Sequence, residues 1–345
     1  MPFIDDILKY KSLSIVGMEK NTGKTETLNY IIQRLHQKDK KIAVTSIGID
    51  GETIDQVTNT QKPEIELFRD MLFVTSEKHF CEKRLVSEIL NVSTQQTALG
   101  RLVTGRVRVG GKVILSGPSN TTWLKKVIKE MEQYHVDTTL IDGALSRRSF
   151  GSPSVTASMI LTTGAALSPN ISELVKKTKF LYSLINLPQY ETSLQDNLLE
   201  IENGMYSIDN EHNLHCLNIP STFLIDQHKE KLSMYGNTLF VSGVVSDKLL
   251  DTLRLQKNIT DTVLIVKDFT RIFASPESVH AFLKKGGKIN VLLKTKLIAL
   301  CINPVSPAGY VLDSNKLKES LMESLQTPVY NIKNVSHCRH CEEDL

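Results

Sequence analysis

Short apolar runs alternate with segments of helical period along the first half of the chain. Runs at 13–16, 42–46, 71–75, 113–116, 138–141 and 157–161 predict strands, and 25–36, 81–90, 121–133 and 171–184 predict helices. In the first helix Leu28, Ile31, Ile32 and Leu35 recur at i, i+3, i+4 and i+7, while Asn29, Gln33 and Gln37 fall on the opposite side. Such alternation reads as a parallel sheet with crossover helices. Arg106-Val107-Arg108-Val109 alternates polar and apolar residues before Gly110-Gly111, which suits an edge strand whose arginines form its solvated face.

Residues 189–235 lose this rhythm, being rich in Asn, Gln, Asp and Ser, and read as a connection or small insertion. A second alternating section follows, with strands at 239–241, 263–266, 289–293 and 298–302, helices at 247–255, 276–285 and 315–325, and a closing strand at 329–332. The expected organisation is a nucleotide-binding domain over 1–188, a connection over 189–235, a smaller α/β domain over 236–335, and a Cys/His-containing tail over 336–345. With 345 residues and 41% hydrophobic content, two cores are affordable and one compact domain is not.

Charge excludes some partners. A net charge of +3 from 41 basic and 38 acidic residues, with no block of like charge, points to neither nucleic acid nor an anionic membrane. No apolar stretch approaches the ~18 residues of a membrane span, and Met1-Pro2-Phe3-Ile4-Asp5-Asp6 has no basic-then-hydrophobic leader. A soluble, cytoplasmic protein is expected. The 5 cysteines, scattered apart from one pair at the end, form no disulfide framework and fit a reducing compartment.

The strongest chemical signal is Gly17-Met18-Glu19-Lys20-Asn21-Thr22-Gly23-Lys24-Thr25, which joins the first strand to the first helix. A nucleoside triphosphate needs backbone N–H groups, a helix N-terminus, an ammonium, and a hydroxyl for Mg²⁺. Gly17, Lys20, Asn21, Thr22, Gly23, Lys24, Thr25 and Glu26 are the candidate nucleotide-binding residues. Gly23 would let the main chain approach, Lys24 would reach the β- and γ-phosphates as the catalytic ammonium, and Thr25 would hold the metal. The fold class expected is therefore α/β, a P-loop NTPase domain with a mostly parallel sheet plus the smaller α/β domain. One departure stands out: 5 residues separate Gly17 from Gly23 where the usual pattern has four, and Glu19, not Lys20, holds the place of the signature lysine of deviant loops.

Carboxylates at neighbouring strand ends would complete an Mg²⁺ shell, since a hard cation takes oxygen ligands. Asp142 ends the run Thr138-Thr139-Leu140-Ile141 and is followed by Gly143; the alternative is a helix cap. Asp50 follows the second strand at the first crossover; Asp50-Gly51 is also a good turn pair. Glu52 would orient a water or simply sit in solvent. Arg147, with Arg148, would place a guanidinium on the γ-phosphate or serve as surface charge. Ser116-Gly117-Pro118-Ser119 would shape a partner or substrate cleft, or form a turn capped by Ser119 or Asn120. Thr162-Thr163-Gly164 would line a base pocket. The absence of an Asn-Lys-x-Asp segment tilts the nucleotide towards ATP. At the C-terminus, His337-Cys338-Arg339-His340-Cys341 offers too few well-spaced ligands for zinc by itself, and a tail with reactive thiols is the favoured reading.

The stretch 16–25 read together with Ser46-Ile47-Gly48-Ile49-Asp50-Gly51-Glu52 resembles the P-loop subunit of the lysine 5,6-aminomutase reactivating factor, found in bacteria that ferment lysine. The loop Lys-Asn-Thr-Gly-Lys-Thr is also similar to the molybdopterin-guanine dinucleotide biosynthesis adaptor proteins, which are shorter and fit the second domain poorly. The first resemblance implies a chaperone-like ATPase that uses ATP and Mg²⁺, with a MutS-like partner subunit, to expel damaged cobalamin from the aminomutase so that adenosylcobalamin can re-enter. It implies nucleotide and metal roles for Lys24, Thr25, Asp50 and Asp142. A homodimer is compatible with it. The competing expectation is a ligase of dethiobiotin-synthetase-like type that uses ATP to activate a small substrate; a nucleotide-binding scaffold or adaptor with negligible turnover is a third.

Overall fold

A computed structural model describes residues 3–47, 54–55, 60–61, 64–144, 155–219 and 221–332. The chain divides into two compact units, Met1–Lys179 with Lys296–Leu345, and Phe180–Thr295. The second unit is thus an insertion in the sequence of the first.

The first unit opens with α1 (Phe3–Ile7), β1 (Ser12–Gly17), α2 (Lys24–Gln37) and β2 (Ile42–Ser46). A short pair, β3 (Ile54–Asp55) and β4 (Thr60–Gln61), precedes β5 (Ile65–Leu67), β6 (Leu72–Ser76) and α3 (Glu77–Glu82). Then come the long hairpin of β7 (Arg84–Thr97) and β8 (Gly100–Val113), α4 (Thr121–Gln133), β9 (Thr138–Ala144), β10 (Ser158–Gly164) and α5 (Ile171–Ile185), on which the chain passes into the second unit. That unit contains α6 (Gln195–Glu200), β11 (Met205–Ile208), β12 (Leu214–Cys216), β13 (Thr238–Val241), α7 (Asp247–Arg254), β14 (Val263–Val266), α8 (Pro276–Lys284) and β15 (Lys288–Val291). The chain returns to the first unit with β16 (Lys296–Asn303), α9 (Ser314–Leu325) and β17 (Val329–Asn331).

The main sheet runs β17-β16-β10-β1-β9-β2-β6-β8-β5, with β7 on the other side of β8. From β17 to β6 every pairing is parallel. The crossovers from β1 to β2 and β6 move to one side of β1, and those from β10 to β16 and β17 move to the other. The end of β1 therefore lies beside a topological switch point, where the loops of an open α/β sheet part and leave a crevice. Alternating side chains divide between the two faces. Ile42, Val44 and Phe73 pack with Leu28, Ile31, Ile32 and Leu35 of α2 and with Phe3 and Ile7 of α1. Ala43, Leu72 and Val74 pack with Trp123, Val127 and Met131 of α4. Helices thus cover both sides, which is why the strands read as continuous apolar runs.

Several expectations change. Gly110-Gly111 lies within β8 and not in a turn, and the strand expected over 113–116 is only the last residue of β8. The helix expected over 81–90 is instead the end of α3 followed by β7. Register irregularities at Arg84/Val86, Val86/Ser87 and Ile89/Asn91 interrupt the two-residue alternation, so Leu85-Val86 and Ile89-Leu90 mimic a helical repeat. Arg106 and Arg108 do not lie on an edge strand: β8 is flanked by β6 and β5 on one side and β7 on the other, and both arginines meet Glu88, at 3.2 and 2.6 Å. Residues 296–331 do not close the sheet of the smaller domain expected over 236–335; β16 joins β10, and β17 joins β16, in the main sheet. The apolar stretch of a parallel strand carries no mark of which sheet it enters, so adjacency in sequence misleads.

In the second unit the sheet order is β12-β11-β13-β14-β15, with β13, β14 and β15 parallel and β11 antiparallel to β13. The stretch read as a connection over 189–235 supplies two of these strands, and Leu198 and Ile208 from it share a core with Phe240, Ile265 and Leu292.

Candidate functional site

The C-terminal ends of β1, β2, β9, β10 and β16 share one edge of the main sheet because these strands are parallel. Gly17, the last residue of β1, is level with Ala144 of β9 on one side and Thr162 of β10 on the other. Asp142 is level with Ile15 of β1 and Ser46 of β2. Its carbonyl accepts from the Ile47 N–H at 3.2 Å and from the Ser46 hydroxyl at 3.3 Å, which fixes this strand end against β2. Asp142 is partly buried.

The loop between β1 and α2 is built from inside. Met18 N–H donates to the Thr162 carbonyl at 2.9 Å. Thr22 is fully buried; its hydroxyl donates to the Glu19 carbonyl at 2.8 Å and lies 3.1 Å from the Thr162 hydroxyl. Thr22 thus acts through its hydroxyl as an internal strut. Asn21 and Gly23 both adopt left-handed backbone, with φ of 59° and 93°. For Gly23 this is an unstrained conformation, and for Asn a tolerated one.

Gly23 is the N-cap of α2, so no side chain caps this helix. The first intrahelical bond runs from Thr27 N–H to the Gly23 carbonyl at 3.0 Å. The amides before it have no acceptor within the helix, and the start of this 14-residue helix is a site of positive potential. Lys24 folds back across the strand end. A Cβ at Gly17 would lie 2.9 Å from Lys24 Cγ and Cδ, and 2.6 Å from Thr22 Oγ1, so only glycine leaves room for the crossing. Lys24 and Thr25 are partly buried, while Lys20, Asn21 and Glu26 are exposed. The Lys20 N–H donates to the Glu19 carboxylate at 3.0 Å, which places a carboxylate oxygen on one loop amide.

The structure brings Gly17, Lys20 to Glu26 and Asp142 to this edge. Asp50, Glu52, Arg147 and Arg148 lie outside the described residues, as does the Cys338/Cys341 tail. Ser116 is not open to a cleft. It is buried, and its hydroxyl lies 2.9 Å from His79 Nδ1, 2.7 Å from Ser76 Oγ and 3.2 Å from Thr75 Oγ1. Gly117 is needed because a Cβ there would collide with the Ser46 carbonyl. Asn120, three residues on, caps α4 by accepting from Trp123 N–H at 2.8 Å.

One contributor was read for another role and one went unread: Thr162, expected to line a base pocket, is buried with its hydroxyl against Thr22, and Asn303 carried no expectation. Thr162 supports the loop from β10. Asn303, at the end of β16, donates from Nδ2 to the Asn21 carbonyl at 3.1 Å. The signal for it is an apolar run, Leu300-Cys301-Ile302, that stops at Asn303-Pro304, the same strand-then-polar pattern that marks Asp142. Cys301, just before it, is buried, and burial pushes its thiol up to about 12 despite a hydrogen bond with Thr27. A cavity of about 480 Å³ opens on the same unit, lined by Asn170 and Ile171 at the start of α5 and by Leu312 and Lys316 near the start of α9.

Among the described residues, no group of three or more His, Cys, Asp or Glu side chains could hold a metal ion. Among the same residues, no helix is long and apolar enough to cross a membrane. No protein-family model matches the chain, and neither a curated protein nor a solved structure matches it.

Proposed function

We propose that this chain is a P-loop ATPase subunit that serves as a chaperone-like reactivating factor. Its client would be an adenosylcobalamin-dependent lysine 5,6-aminomutase, from which it releases damaged cofactor at the expense of ATP, together with a MutS-like subunit. The observation that carries the nucleotide reading is the crossing of Lys24 over Gly17 at the uncapped start of α2. That arrangement gathers an ammonium and free-ended amides at the switch point of a parallel sheet, which is what a polyphosphate requires. The client and the MutS-like partner rest on the resemblance of 16–25 and 46–52 to the reactivating-factor subunit.

Mg²⁺ suits the oxygen donors of this edge. Thr25 Oγ1 and the Asp142 carboxylate would hold it together with phosphate oxygens, and it would offset the charge on the β- and γ-phosphates. The protein's own part is to orient: Lys24 sits over the strand end, the amides at the start of α2 would receive the anion, and Asp142 is held level with β2.

The test is phosphate release from ATP by the purified chain, with and without an inactivated aminomutase and the MutS-like subunit. Stimulation by both proteins is expected. Turnover triggered only by a small carboxylate metabolite would replace this reading with the ligase, and no turnover under any condition would leave a nucleotide-binding scaffold.

A further inference from the structure

We infer that Asn303 is the positioning residue that holds the Met18–Gly23 loop in its anion-receiving shape. The geometry behind this is independent of any ligand; the predicted effect on nucleotide rests on the reading above. The loop is one residue longer than the usual pattern and contains two left-handed residues, Asn21 and Gly23. Asparagine tolerates that region but is not locked in it, so a tertiary contact on residue 21 decides whether the loop keeps one shape. Asn303 supplies the hold from a strand 282 residues away in sequence. Its Nδ2 donates to the Asn21 carbonyl at 3.1 Å, and its Oδ1 accepts from Val305 N–H at 3.2 Å, which turns the amide so that its donor faces the loop.

Packing adds to the hydrogen bonds. A Cβ on residue 23 would lie 2.9 Å from Asn303 Cβ, so the two backbones approach as closely as a glycine permits. The Asn303 carbonyl accepts from Ala165 N–H at 2.9 Å, and a Cβ at Gly164 would collide with that carbonyl. Asn303 is buried, and it is tied at once to β10's exit and to the loop. The order β16-β10-β1 in the sheet is what makes this reach possible. Lys24 follows Gly23 directly, so the clamp on residues 21 and 23 also sets where the ammonium starts.

The experiment uses the full chain and the variants Asn303→Ala, Asn303→Asp and Lys24→Ala. The first readout is trypsin cleavage after Lys20, without nucleotide, compared with cleavage elsewhere in the same molecule. The second is titration with a fluorescent ATP analogue and Mg²⁺. In both Asn303 variants, cleavage after Lys20 should accelerate selectively by about tenfold, the effect of losing one ordinary hydrogen bond. Affinity should fall by about tenfold in Asn303→Ala, and further in Asn303→Asp, where a carboxylate meets the Asn21 carbonyl and the approaching phosphates. If Asn303→Ala does not fold, Asn303→Asp, of nearly the same volume, carries the test.

Cleavage and affinity indistinguishable from wild type would overturn the clamp. If Lys24→Ala abolishes uptake while the Asn303 variants behave as wild type, the clamp fails and the nucleotide reading stands. If wild type takes up no nucleotide but cleavage after Lys20 still accelerates, the reading fails and the clamp stands.

Discussion

Replacing Thr22 by valine keeps the shape of the side chain and removes only the hydroxyl. That hydroxyl is fully buried, donates to the Glu19 carbonyl at 2.8 Å, and lies 3.1 Å from the Thr162 hydroxyl. Two hydrogen bonds disappear, each contributing about 1 kcal/mol, and the groups left behind cost more because they stay buried without that partner. The expected destabilisation of the first unit is about 2–4 kcal/mol for Thr22→Val. Thr22→Ser retains the hydroxyl and loses one methyl, at about 1 kcal/mol. Serine should therefore outrank valine, the reverse of what apolar burial alone predicts. Urea unfolding can be followed through Trp123, the single tryptophan of the chain, which lies in α4 of the first unit and so reports that unit. A Thr22→Val, Thr162→Val double-mutant cycle should give a coupling of about 1 kcal/mol. Valine as stable as serine, or more so, would refute the idea that the loop is strung on this hydroxyl.

Gly17→Ala forces a Cβ to within 2.6 Å of Thr22 Oγ1 and 2.9 Å of the Lys24 side chain, so displaced Lys24 should weaken binding of a fluorescent ATP analogue; unchanged affinity would contradict the crossing of Lys24 over the strand end. Cys301 is buried with its thiol pushed up to about 12, so native protein treated with iodoacetamide near pH 8 should keep it unalkylated on peptide mapping while the exposed Cys81 and Cys216 react; early modification of Cys301 would show that β16 opens readily. In the second unit, the His215 ring and the Asn213 and Glu211 amides hold the Asp209 carboxyl down at about 2, below its ordinary 3.8. A depressed carboxyl stabilises above its unfolded value and loses that contribution as pH falls, so stability should decline between about pH 4 and pH 2, and His215→Ala should flatten that decline; identical pH profiles would rule the pair out as its source.

The main sheet was legible where a strand and its helix follow one another with clean periods. β1 with α2 is the best case: the buried run Leu13-Ser14-Ile15-Val16 leads to a glycine, and the i, i+3, i+4, i+7 stripe buries Leu28, Ile31, Ile32 and Leu35. Legibility failed in two physical situations. The first is β7, whose bulges shift side chains out of the two-residue rhythm, so that paired apolar residues imitate a helix. The second is β16: its buried run Ala299–Asn303 would suit either sheet, and only tertiary pairing decides that it neighbours β10. The candidate site divides along the same line. Gly17, Gly23, Lys24 and Thr25 lie in one short segment and carry their chemistry in their order. Thr162 and Asn303 shape the same loop from strands far away in sequence, and His79 is set into a buried hydroxyl network with Ser116 that no local spacing announces. The sequence suggested Thr22 as a ligand-contacting residue; its hydroxyl is instead engaged within the protein.

In the proposed site, an ammonium and the open end of a helix would receive a polyphosphate at the close of β1. Isothermal titration calorimetry of the full chain with ATP and Mg²⁺ tests it most directly. One nucleotide per chain should be taken up, and uptake should be lost in Lys24→Ala, with Trp123 unfolding unchanged in that variant. No heat of binding in wild type, or equal binding by Lys24→Ala, would contradict it.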